Sequence, residues 1–84
     1  PPSFSGFRKH ALDRLISREG RGVSPRAWWD AYKNPKRPPH LKVDQSGRPG
    51  WVFEGRDAVI ILNPEGELVT GWPTGEAGCR IPRR

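Results

Sequence analysis

Apolar positions recur at helical spacing over residues 7–18. At ~100° per residue, Phe7, Ala11, Leu12, Leu15 and Ile16 span one half of a predicted helix. His10, Arg14 and Arg18 step by four along the polar edge beside it. Ser5 is placed to cap this helix, and Gly20 to close it in the left-handed conformation. Ser24-Pro25 then reads as an N-cap followed by the first helical residue. The second helix runs from Pro25 to about residue 33 and ends before Pro35. Trp28, Ala31 and Tyr32 form its inner stripe, with Trp29 at the margin. Residues 35–39, which carry three prolines, are a basic linker that also takes in His40.

Beyond the linker the period changes to two. Leu41 and Val43 suggest a first strand, and residues 45–50 a flexible loop. Residues 51–54 form a second strand, turned by 55–57 into the run 58–62. That run is apolar on both faces, so it reads as a central strand covered by a helix on at least one side. Asn63-Pro64-Glu65-Gly66 is a turn with proline at the position of fixed φ and glycine where the strands rejoin. The last strand, 67–72, stops at Pro73; strict alternation puts Leu68, Thr70 and Trp72 on one face and Val69 on the other. The pattern predicts one α+β domain over residues 1–84. Two N-terminal helices pack on a twisted antiparallel sheet of three to four strands, with Ile60 or Ile61 under the first helix. Residues 1–5 are a lead-in and 73–84 a tail without pattern.

Composition narrows the partners. Only 33% of the 84 residues are hydrophobic, so four Trp, three Phe and one Tyr must supply much of a compact core. The single cysteine, Cys79, excludes an internal disulfide framework and reads as an incidental thiol. A zinc site from His10, His40 and Cys79 matches no standard spacing, so neither a metal nor a cofactor is expected. No apolar run approaches the ~20 residues that cross a bilayer, and no signal sequence opens the chain. The absence of Met reads as a piece of something longer. The net charge is +6, and eleven of fifteen basic residues are Arg, which favours bidentate contact with phosphate. Such a balance points to nucleic acid or another polyanion.

Three cationic or potentially cationic groups in a row, His10, Arg14 and Arg18, repel one another unless an anion lies across them. A phosphodiester fits, and so does a plain solvated basic face. Thr70 and Trp72 bring a hydroxyl for a phosphate oxygen and a flat ring for a base, although β propensity and packing explain each alone. Stacking of that kind contributes ~1–3 kcal/mol per base. There is no Gly-rich phosphate loop, no carboxylate pair at metal spacing and no HExxH arrangement, so metal-dependent DNA cleavage lacks its ligands. RNA cleavage needs less, because the substrate's own 2′-hydroxyl is the nucleophile. Imidazole titrates near neutrality and suits the proton transfer; arginine clamps suit the charge that develops on phosphorus. On this reading His10 and Thr70 meet around a common anion.

The run His10-Ala11-Leu12-Asp13-Arg14-Leu15-Ile16-Ser17-Arg18, then Val23-Ser24-Pro25, the helix end at Asn34-Pro35, and the closing stretch from Val59 through Asn63-Pro64-Glu65-Gly66 to Thr70-Gly71-Trp72 together resemble a known group. It is the C-terminal toxin domains of contact-dependent inhibition and Rhs-type polymorphic toxins, and among these the barnase–EndoU–colicin–RelE (BECR) ribonuclease fold. The likeness spans about residues 8 to 72. It implies a toxin endoribonuclease cleaving RNA, tRNA in particular, without metal. It also implies delivery from the cell surface or by secretion as the C-terminal part of a larger protein, and action in the target-cell cytoplasm. An acidic immunity protein neutralises such domains, which are otherwise monomeric and not inserted in membranes. Carried over residue by residue, His10, Arg14 and Thr70 take catalytic positions, and Arg18 and Trp72 bind substrate. A second site histidine is missing, which leaves the general acid to Arg14 or to a group on the substrate. Two other readings stay open: a nucleic-acid-binding module without catalysis, and a basic interaction domain docking an acidic protein.

Overall fold

A computed structural model describes residues 1–16 and 22–81, and of Arg14 the backbone alone. The described residues form β1 (Gly6–Phe7), α1 (Ala11–Leu15), α2 (Pro25–Lys33), β2 (His40–Val43), β3 (Pro49–Glu54), β4 (Ala58–Leu62) and β5 (Glu67–Pro73), followed by a 3-10 turn over Glu76–Gly78. The architecture is α+β. The sheet has five strands in the order β1-β5-β4-β3-β2, antiparallel throughout except where β1 runs parallel to β5 at the edge. This corrects the purely antiparallel sheet of three to four strands.

The fifth strand, Gly6–Phe7, lies just past the expected lead-in and takes the first residue of the predicted helix. The Ser5 and Arg8 backbone N–H groups donate to Gly66 and Leu68 at 2.9 Å each. Ser5 does not cap a helix; its Oγ donates to the Glu65 carbonyl at 2.8 Å. Phe4 anchors the segment among the rings of Trp28, Trp29 and Tyr32, and its N–H donates to the Tyr32 hydroxyl at 3.0 Å. Phe7 follows in β1 and packs edge-on against Trp28. The first helix is correspondingly shorter than its periodicity suggested. Ala11 and Leu15 are buried, whereas Leu12 and Ile16 stand about half exposed, at 48% and 50%. The predicted helix end at residues 19–20 and Arg18 lie outside the described residues.

The second helix forms as its caps require. Ser24 accepts from the Ala27 N–H at 3.1 Å, Pro25 occupies the first turn, and Asn34 ends the helix before Pro35. Its buried face is Ala27 and Ala31, with Trp28 and Tyr32 half-buried to either side. Small residues let the helix approach closely: a Cβ at Gly55 would meet the Ala31 Cα at 2.5 Å. α1 lies on β5, and α2 on β4 and β3. Ile60, Leu62, Leu68 and Phe53 fill the space beneath them. The expected tail is also docked, since the Ser24 N–H donates to Gly78 at 2.8 Å and Arg26 pairs with Asp57 at 2.8 Å and reaches the Ala77 carbonyl.

One irregularity in β5 sets everything that follows. Ile61 lies opposite Thr70, but Leu62 lies opposite Leu68, so Val69 is an extra residue in a β-bulge. Cross-strand partners share a face. Leu68 therefore joins the core with Leu62, while Thr70 joins Ile61 on the face without helices. The predicted grouping of Leu68 with Thr70 and Trp72 is corrected by this single inserted position.

Candidate nucleic-acid interface

The helices cover one face of the sheet and leave the other open. On β2 the alternation His40-Leu41-Lys42-Val43 sends His40 and Lys42 to the open face, opposite Val52 and Gly50. From β4 come Val59 and Ile61, and from β5 Thr70 and Trp72. A hollow of about 370 Å³ opens here, lined by Arg8, Lys42, Asp44, Arg48, Thr70 and Ile61 among others.

Each wall has a local cause. Arg8 follows the edge strand, and its guanidinium lies 3.7 Å from the Glu67 carboxylate. Arg48 ends a turn held by Asp44, whose Oδ1 accepts the N–H groups of Ser46 and Arg48 at 2.8 and 2.9 Å. Asn63 closes the next corner: its Oδ1 accepts from the Glu65 and Glu67 backbones, and its Nδ2 donates to Glu67 Oε1 at 2.9 Å. The floor is low because Gly50 has no side chain; a Cβ there would meet Ile61 Cγ2 at 2.7 Å. Three cations thus face two carboxylates, one of them tied to backbone N–H groups. The hollow keeps a net positive character in a partly enclosed space, where charge interactions are stronger than in open water.

The residues singled out from the sequence are distributed unevenly around this face. Thr70 lines the hollow, and Trp72 stands two residues along the same strand, 46% exposed and on the same face. His10 is the N-cap residue of α1, with a side chain 72% exposed and its Nδ1 4.0 Å from Asp13. It does not line the hollow; it sits at the turn where the chain leaves β1, two residues after Arg8, before α1 folds back over the covered face. Arg14 lies in α1 with its side chain outside the description, and Arg18 lies outside the described residues. The structure puts Thr70 on one face with Trp72 and lines the hollow with Thr70 and Arg8, and leaves His10 outside that lining.

Four residues of the open face escaped the sequence reading: Arg8, Lys42, Arg48 and His40. The signal for two of them was present. His40-Leu41-Lys42-Val43 alternates polar with apolar, the mark of a strand with one solvated face. Placing His40 in the linker concealed it; His40 is instead the first residue of β2.

Among the described residues no helix is long and apolar enough to cross a membrane, and no three His, Cys, Asp or Glu residues stand where they could hold a metal ion. Comparison with protein-family models, with curated proteins and with solved structures gives no match to this chain.

Proposed function

We propose that this domain is a toxin endoribonuclease that binds RNA on the open face of its sheet and cleaves it through the 2′-hydroxyl. The observation that carries the reading is the cationic hollow formed by Arg8, Lys42 and Arg48 around the Thr70 hydroxyl, with an exposed Trp72 beside it. Guanidinium and ammonium groups hold a phosphate. A hydroxyl orients it, and an indole gives a base somewhere to stack. The resemblance drawn from the His10, Arg14 and Thr70 motifs supplies the reaction class, with tRNA as the substrate and an acidic immunity protein as the antagonist.

The chemistry follows from those groups. The phosphate sits toward the β5 side of the hollow, which Thr70 and Arg8 line, and His10 follows Arg8 by two residues in the chain. His10 takes the proton of the 2′-hydroxyl. The 2′-oxygen bonds to phosphorus, and the bond from phosphorus to the 5′-oxygen breaks, that oxygen taking a proton from water. The products are a 2′,3′-cyclic phosphate and a 5′-hydroxyl. Arg8, Lys42 and Arg48 offset the negative charge that grows in the transition state.

The absence of His10 from the lining of the hollow favours one rival, a module that binds RNA on the same face without cutting it. A single experiment separates the two. Purified domain is incubated with tRNA and total RNA in EDTA, wild type against His10→Ala. Cleavage to cyclic-phosphate ends, lowered by His10→Ala at least a hundredfold (the scale general acid–base catalysis commonly provides) with an unchanged melting temperature, supports the enzyme. Intact RNA with the wild type, or equal cleavage by both proteins, refutes it.

A further inference from the structure

The open face is wider than one phosphate site needs. His40 lies opposite Val52, Val52 opposite Ile61, and Ile61 opposite Thr70, so these four residues form one row across β2, β3, β4 and β5 on a single face. Three strand spacings separate its ends, about 14 Å. A proton cannot pass directly over that distance, so His40 is not a partner in the chemistry at Thr70. An extended RNA strand covers it in a few nucleotides.

We infer that His40 forms a second nucleotide subsite, stacking a base of a single RNA strand laid across the sheet from Trp72 and Thr70 toward β2. The inference rests on the ribonuclease reading above and names the form of its substrate. Between the two ends the floor is a low, closed apolar surface: Ile61 is half-buried, Val52 is buried, and Gly50 keeps the surface low beside Ile61. His40 is exposed at the sheet's outer strand, and no carboxylate stands within ion-pair distance of it among the described residues. Lys42 projects from the same strand on the same side, next to the hollow. Trp72 offers the other flat ring at the far end of the face, one step along from Thr70. Rings at both ends of an apolar floor with cations alongside make a platform for unpaired bases. A duplex keeps its base faces stacked inside and presents only edges and backbone, so neither ring would be used.

The test measures binding with the nucleophile blocked. Fluorescent 2′-O-methyl RNAs, from a dinucleotide to an octanucleotide, are titrated by anisotropy with wild type, His40→Ala and His40→Tyr, alongside a blunt hairpin duplex. Wild type is expected to gain affinity with length, and His40→Ala to lose about tenfold on the octanucleotide, the scale of one stacked base, and less on the dinucleotide. His40→Tyr, which keeps a flat ring, restores the octanucleotide. Wild-type binding of the octanucleotide by His40→Ala, failure of tyrosine to rescue, or a duplex bound as tightly as the single strand overturns the subsite while leaving cleavage to stand. A wild-type domain that neither binds the octanucleotide nor cuts RNA overturns the ribonuclease reading and the subsite together.

Discussion

Neutralising Lys42 tests whether the hollow holds phosphate. Lys42 and Arg48 line it with no carboxylate within ion-pair distance among the described residues, whereas Arg8 has Glu67 at 3.7 Å. A cation that contacts a single-stranded phosphate contributes about 0.7 to the slope of log affinity against log salt. Lys42→Gln is therefore expected to flatten the slope by about 0.7, which between 50 and 200 mM salt means about 2.6-fold less loss of affinity. Adding Arg48→Gln doubles the change in slope to about 1.4, or about sevenfold over the same range. Arg8→Gln should flatten it less, because the Glu67 carboxylate 3.7 Å away already offsets part of the guanidinium charge in the wild type. The measurement is anisotropy of a 2′-O-methyl octanucleotide across a salt series, so that turnover does not enter. All four proteins should converge in affinity as salt rises and the electrostatic contribution fades. A double variant with the wild-type slope would mean that the RNA does not seat in this hollow, and the account of the site would fall with it.

Two predictions concern the frame that holds the site. Gly66 has φ +87°, and a Cβ there would overlap the Ser3 carbonyl, so Gly66→Ala should lower the melting temperature by 10 °C or more, taking about 2 kcal/mol or more at roughly 4–8 °C per kcal/mol. Gly47→Ala is the control: φ is a similar +81° but nothing lies within 4 Å of the added atom, so it carries the backbone cost alone, about 1–2 kcal/mol. Equal melting temperatures for the two variants would show that the N-terminal segment is not seated against this turn. Leu62→Ala, at a fully buried position, should cost about 2–5 kcal/mol, and Leu12→Ala, on the exposed side of α1, under about 1 kcal/mol. Chemical denaturation distinguishes them, and comparable losses would restore Leu12 to the core.

Much of the frame was legible because it depends on local chemistry. Ser24-Pro25 and Asn34-Pro35 set the bounds of α2, and Asn63 through Gly66 set the turn between β4 and β5, since caps and turns are satisfied by neighbours in the chain. What could not be read is what distant segments do for each other. Residues 1–5 show no strand pattern, yet they are held by the edge of β5 and by the Trp28, Trp29 and Tyr32 rings. Pairing of the next two residues, Gly6–Phe7, with β5 shortens the first helix, because Phe7, counted in the helix's apolar arc, is spent in β1 instead.

The candidate site depends on a subtler point of the same kind. Strict alternation through 68, 69, 70, 71 and 72 puts Leu68 with Thr70 and Trp72, which would bury the hydroxyl and the indole or expose Leu68. Leaving Val69 out of the count resolves the conflict at once: Leu68 in, Thr70 out, Gly71 in, Trp72 out. Each neighbour then suits its place. Leu68 meets Leu62, and Gly71 lies close to Leu15 and Ile60, where a Cβ would come within 3.4 Å of Leu15 Cδ2. Val69 borders the hollow together with Thr70. A bulge adds one residue and bends the strand, so this single position both completes the core on one side of β5 and delivers the polar side chains to the other. The open face with its hollow is thus made by a break in the pattern, and only the partner strand reveals where the break falls.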